Sequence, residues 1–245
     1  MMKFFKRTWL VWIIVLTGCA TAGLQSLDTQ ELFGKSLIVE RRADFKAEEA
    51  AWFREEVKPV LDQRCVVCHA CNDAPCQLKL TSAEGIMRGA NPQKVYHGTR
   101  LTAAEPTRLG IDADSTAEWR QMGFHSVLNE RTQSPEVNLA NSLIYQMLAL
   151  KKNAPAPENV LLSDDYNLAL NRSQSCPTRE DFNEYAEEHP KWGMPYGLPE
   201  ISDSEYNTLV QWLRAGSPMS QPKPLSDKTK QTIRDWETYL NDDSL

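Results

Sequence analysis

The chain has 245 residues and a formal net charge of −6, with 41% hydrophobic and 24% charged residues, ordinary values for one or two globular domains. The acidic balance excludes a nucleic-acid face built on a basic patch, so no nucleic-acid partner is expected. It also excludes electrostatic docking onto anionic lipid, so membrane contact is expected to be apolar or to run through an anchor.

The N-terminus is a short basic segment, Met1 to Arg7, followed by nine apolar residues, Thr8 to Leu16 (TWLVWIIVL). This run is too short to span a bilayer as a helix and has the length of a secretory h-region. Leu16-Thr17-Gly18-Cys19 then has the order of a bacterial lipobox, in which the Cys is diacylated and becomes the new N-terminus. A plain cleavable signal is the simpler alternative. The expectation is a signal peptide with lipobox over 1–19, a lipidated Cys19, a polar tether over 20–44, and a periplasmic, membrane-anchored lipoprotein.

Ala47 to Gln63 reads as an amphipathic helix through Trp52, Phe53, Val57, Val60 and Leu61, with Pro59 late in it as a kink or stop. Residues 70–114 carry many Pro, Gly and Asn and read as loop with short helical turns. Ser115-Thr116-Ala117-Glu118 is a capping box that opens a helix to about Leu128. Asn138 to Lys152 is the next helix, its terminal lysines placed to meet the helix dipole. Thr178 to Glu188 reads as an acidic surface helix. Ser202 to Ala215 has a capping box (Ser202, Glu205), a stripe of Tyr206, Leu209, Val210 and Leu213, and Gly216 and Pro218 as its stop. Pro222 and Pro224 mark a linker before a last helix, Ser226 to Leu240. No repeat and no alternating strand pattern is present, so the predicted class is all-α.

Cys65-Val66-Val67-Cys68-His69 is a CxxCH motif. In covalent haem attachment, two thiols add across the two porphyrin vinyl groups, and the spacing of one helical turn matches them. The next His is then carried under the iron as proximal ligand. Zinc proteins and disulfide oxidoreductases share the motif. Export argues against the first, and the helical rather than βαβ context argues against the second. Cys65, Cys68, Cys71 and Cys76 also approach the spacing of an iron–sulfur site, without its trailing Pro. The reading adopted is one c-type haem, with Cys65 and Cys68 as attachment points and His69 on the iron.

The second axial ligand is expected downstream. Met194, in Gly193-Met194-Pro195-Tyr196-Gly197 just before the helix at Ser202, has the place of the Met-Pro loop of monohaem cytochromes c; its bland role is to fill core. His97 and His125 are the next candidates, each with a surface or structural alternative, and His189 reads as a helix cap. The resulting picture is a cytochrome c-like haem domain over 45–218 with a long irregular and helical insertion between Cys76 and Cys176. Residues 219–245 would be a linker and the start of a following region. With Cys19 given to lipid and Cys65 and Cys68 to haem, Cys71, Cys76 and Cys176 remain; two can form a disulfide, and spacing does not select the pair.

CVVCHACNDAPCQLKL (Cys65–Leu80) resembles the haem segment of bacterial fatty acid cis/trans isomerases. The likeness continues through Val95–Leu128, Ser142–Leu150, RSQSCP (Arg172–Pro177) and GMPYGLPEIS (Gly193–Ser202). The resemblance implies a periplasmic haem enzyme that turns cis double bonds of unsaturated fatty acids of membrane phospholipids into trans, without ATP or nicotinamide. It implies oxidised haem iron as the group that draws electron density from the double bond, Cys65, Cys68 and His69 as the haem-holding residues, and His69 as the residue that sets the iron. Family members are longer, which implies that this chain is their N-terminal haem region. The alternative from another class is a periplasmic electron-transfer c-type cytochrome lipoprotein, for which an insertion of this length has no need.

Overall fold

The computed structural model describes residues 29–40, 47–70, 74–97, 100–101, 107–157, 160–164, 166–169, 174–219 and 226–240. The signal and lipobox reading with Cys19, and Cys71, lie outside the described residues. The chain divides into two units, 1–35 and 36–245; residues 29–35 of the first are described and contain helix α1 (Thr29–Phe33). No helix of the described residues is long and apolar enough to cross a membrane.

The larger unit is helical, as the sequence predicts. Its described strands are two-residue segments, β1 (Tyr96–His97) and β2 (Arg100–Leu101), paired antiparallel with Tyr96 opposite Leu101. The 47–63 helix is one continuous run in three parts: α2 (Ala47–Trp52), a π-helical segment (Phe53–Val57) and α3 (Lys58–Arg64). Pro59 neither ends the run nor stands late in a regular helix. The preceding turn widens, with the Lys58 N–H donating to the Phe53 carbonyl, and this relieves the clash a proline ring makes with the carbonyl one turn back. Phe53, Val57, Val60 and Leu61 are buried, the face expected from their spacing.

This run packs on α9 (Asp203–Arg214), where Phe53 and Trp212 lie 5.9 Å apart by ring centroids. α9 begins at the expected capping box: the Ser202 hydroxyl accepts from the Glu205 N–H, and the Glu205 carboxylate accepts from the Ser202 N–H at 2.8 Å. Its buried stripe is Leu209, Trp212 and Leu213, so Trp212 replaces the expected Val210.

Three helices differ from expectation. The Ser115-capped helix, α5 (Thr116–Gln121), keeps its capping box but ends short of Leu128. Gly123 takes φ +86°, and Phe124 folds back edge-on to Trp119 at 5.4 Å. The 138–152 helix is two: α6 (Pro135–Ala140), capped by Ser134, and α7 (Leu143–Asn153), capped by Ser142. The Ser142 hydroxyl accepts from the Tyr145 N–H and donates to the Val127 carbonyl, so the chain breaks where a buried cap is anchored to a neighbouring segment. α8 (Phe182–Glu188) is shorter than 178–188 and is no surface helix, because Phe182 and Tyr185 are buried in the main core. The last helix, α10 (Asp227–Leu240), is where the sequence puts it, with Lys230 paired to Asp114 and Glu237 to Arg108.

Candidate functional site

The CxxCH turn grows out of α3. The Cys65 and Val66 N–H groups both donate to the Leu61 carbonyl, at 2.9 and 3.0 Å. The Cys68 and His69 N–H groups donate to the Cys65 carbonyl, at 3.1 and 3.0 Å. One turn therefore carries both sulfurs, and His69 follows directly. Cys65 and Cys68 are free thiols, Cys68 exposed and Cys65 half-buried against the main core. Burial, then the neighbouring Cys68 and Glu205, push the Cys65 thiol up to about 12, so it is held protonated. His69 is 8% exposed, and its carbonyl accepts from the Leu80 N–H at 2.9 Å, closing the 69–80 loop.

α9 fixes this turn from the side. The Arg64 guanidinium, the last residue of α3, grips Glu205 through Nε at 2.7 Å and Nη2 at 3.2 Å. The pair raises the Arg64 pKa and holds the Glu205 carboxyl below the usual carboxylate range. Glu205 thus serves both the α9 capping box and the CxxCH turn. The motif read from sequence accounts only for the first.

Beyond His69 the loop is closed covalently. Cys76 and Cys176 form a disulfide with Cα atoms 5.7 Å apart, tying the two ends of the insertion across a separation of 100 residues. This selects the pair that spacing left open. It also removes Cys76 from a four-thiolate iron–sulfur set. Cys76 and the next residue, Gln77, both sit at positive φ (56° and 49°), where a side chain costs about 1–2 kcal/mol each. They are held there by the disulfide, by the Asn91 N–H on the Cys76 carbonyl at 2.8 Å, and by buried Arg88, the last residue of α4 (Ala83–Arg88), which donates to the Gln77 carbonyl. Arg88 also donates to the Thr107 carbonyl at 2.6 Å and lies over the Phe124 ring at 4.7 Å.

Met194 is half-buried on a segment fastened to α7. Its N–H donates to the Met147 carbonyl at 3.1 Å, and the Met194–Pro195 peptide is cis. Gly193 makes the approach possible: a Cβ there would lie 2.2 Å from the Lys151 nitrogen and 2.5 Å from its Cα. Trp192 is stacked on His189 at 4.1 Å, and its carbonyl accepts from the Tyr185 hydroxyl. Cys65, Met147 and Trp192 border one hydrophobic cluster, so α7 links the Met194 segment to the core that carries the CxxCH turn.

The other histidines have structural surroundings. His189 is the C-cap of α8, as expected. His97 lies on β1, and only its backbone is described. His125 bridges Ala90 through its backbone, and its ring bonds the Pro177 backbone while Nε2 is buried without a partner; burial lowers its pKa. Lys151 stands in the last turn of α7, where the dipole favours a cation, and is buried, 2% exposed. Its spacing from Ile144 and Leu148, seven and three residues, is the signal that places it on the inner face.

Among the described residues no three His, Cys, Asp or Glu side chains converge as a multidentate metal site needs. Two free thiols on one turn followed by a buried imidazole are the residue types that covalent haem attachment would need, and they fit that group.

No curated protein and no solved structure matches the chain. A family model described as fatty acid cis/trans isomerase (CTI) matches residues 104–245. The matched region includes α7, Cys176, the Met194 segment and α9; the CxxCH turn lies upstream of it. The match takes in more than half of the chain, which therefore belongs to the fatty acid cis/trans isomerase family, a family of isomerases.

Proposed function

We propose that this isomerase is haem-dependent and acts on cis-unsaturated fatty acyl chains, in or released from membrane phospholipids, in the periplasm, where Cys19 anchors it as a lipoprotein. The observation that carries the reading is the single turn presenting Cys65 and Cys68 as free thiols with buried His69 next to them. In this reading a cytochrome c-like unit is built from the α2–α3 run packed on α9. Cys65 and Cys68 would hold the haem, and His69 and Met194 would ligate its iron.

Rotation about an intact double bond is prohibitive at growth temperature, so π-electron density must be withdrawn for the bond to turn. Bound haem would supply that electrophile at its ferric iron. The chain's own residues do the positioning. The Arg64–Glu205 pair fixes the CxxCH turn against α9, and the disulfide closes the loop after His69. Gly193 lets the Met194 segment lie directly on α7.

The test is expression with c-haem attachment machinery in a host lacking the activity, followed by gas chromatography of membrane fatty acids. Denatured protein should retain haem through acid–acetone extraction and give a c-type pyridine haemochrome. Trans isomers should appear with the wild type and vanish with Cys68→Ala or His69→Ala. Freely extracted haem overturns the attachment. Loaded haem without trans isomers, in this chain and in one extended through any downstream reading frame, favours the electron-carrier alternative.

A further inference from the structure

α7 ends in two lysines with opposite surroundings. Lys152 is exposed; its ammonium lies 4.3 Å over the Tyr206 ring and pairs with Asp203 at 3.1 Å. Lys151 is 2% exposed, and its Nζ is buried without a hydrogen-bond partner. Helix geometry sets its direction. Ile144, Leu148 and Lys151 fall on one stripe, and long helical side chains lean back toward the N-terminus. The Lys151 stem therefore runs over the turn that contains Met147 and Leu148. The Gly193–Met194 segment lies along the same turn, with Gly193 against the Lys151 backbone and the Met194 N–H on the Met147 carbonyl.

An ammonium out of water is stable only with an anion against it. Burial favours the neutral amine, while Glu200, an exposed carboxylate, pulls the other way through space without bonding to Nζ. The main mechanism gives Lys151 no task. Its setting is apolar, with Leu148 and Leu150 buried beside it. The anion suited to this place is small and sits on an apolar body. A carboxylate on a hydrocarbon or porphyrin stem meets both conditions.

We propose that Lys151 is a carboxylate-binding residue of this site, its Nζ donating to an anionic oxygen of a haem propionate or of the headgroup of a free fatty acid. The inference rests on the proposed reading of the site as one that holds haem beside an acyl chain. The two sources share their chemistry and are separated by experiment.

The full chain, with haem attached, is compared as wild type, Lys151→Met and Lys151→Arg. In the first arm, oleate and oleyl alcohol binding are followed by tryptophan fluorescence. A fatty-acid source gives oleate an advantage on the order of tenfold or more, abolished in Lys151→Met and kept in Lys151→Arg. In the second arm, the reduction potential is followed from about pH 5 to about pH 8, a range that brackets a weakly perturbed carboxyl. A propionate source gives a flat wild-type profile and a titration step in Lys151→Met. No acid-over-alcohol preference together with identical pH profiles overturns the proposal. If Lys151→Met does not fold, the wild type decides: equal binding of acid and alcohol, with a propionate step already present, also overturns it. Failure of haem attachment defeats the haem reading but leaves the first arm to judge Lys151.

Discussion

Gly193→Ala is the most direct probe of how the Met194 segment is held. Gly193 has no left-handed φ, so the whole cost of a side chain there is steric. The added Cβ would lie 2.2 Å from the Lys151 nitrogen, 2.5 Å from its Cα and 2.8 Å from the Leu150 carbonyl carbon. All three are backbone atoms of α7, so no flexible side chain can swing aside and the segment must lift. Overpacking of this kind costs about 1–3 kcal/mol. Lifting also stretches the Met194 N–H to Met147 carbonyl bond, worth about 0.5–1.5 kcal/mol. The sum is about 1.5–4.5 kcal/mol. At about 2–4 °C per kcal/mol for a domain of this size, the thermal midpoint should fall by roughly 3–18 °C. Gly123→Ala is the comparison: it has φ +86° and meets only the Asn91 side chain at 3.4 Å, so it should cost about 1 kcal/mol. The assay is thermal denaturation of both variants by circular dichroism. The haem-loaded protein adds a second readout, since lifting the segment should weaken a Met194-dependent band near about 700 nm, the region of thioether-ligated ferric haem. A Gly193→Ala midpoint within about 1 °C of wild type, or a larger loss for Gly123→Ala, would refute the packing account.

Three further outcomes follow from the same geometry. Cys76→Ser/Cys176→Ser should lose about 2–5 kcal/mol in denaturant titrations, and dithiothreitol should destabilise the wild type but not the variant. Glu205→Gln should cost about 0.5–1 kcal/mol near neutrality, a small value because Arg64 is 45% exposed. Glu205 has a lowered folded pKa, so its contribution is present above the unfolded carboxyl value of about 4.3 and disappears as pH falls through the folded value; the midpoints of variant and wild type should therefore converge in acid. In the haem-free chain, iodoacetamide at neutral pH should label Cys68 well before Cys65, which is half-buried with its thiol held to about 12; equal labelling by peptide mass mapping would contradict the burial argument.

The local parts of this protein were determined by sequence alone. Ser115 and Ser202 with their partner glutamates opened helices where the capping boxes stood, because a capping box is satisfied within four residues and needs no tertiary partner. The α10 helix stands where the linker marked by Pro222 and Pro224 ends, and the buried face of Phe53, Val57, Val60 and Leu61 followed from period. The two thiols and the histidine of the CxxCH motif came onto one turn for the same reason: their relation is fixed by backbone geometry over five residues. The family resemblance, too, was legible in segments such as GMPYGLPEIS, which lies within the region the family model matches.

What spans the chain was decided only by tertiary structure. Pairing Cys76 with Cys176 depended on the path of the insertion between them, which no local rule sets. The break between α6 and α7 depended on Val127 offering a carbonyl to Ser142. Glu205 gained a second task because α3 happens to end beside it, leaving Arg64 within reach. Lys151 turned inward while Lys152 stayed exposed, because its position on the helix, not its chemistry, put it on the face that the Gly193 segment covers. Propensity and period act through neighbours in sequence, whereas burial of a charge, choice of a disulfide and closeness of a loop to a helix are set by neighbours in space.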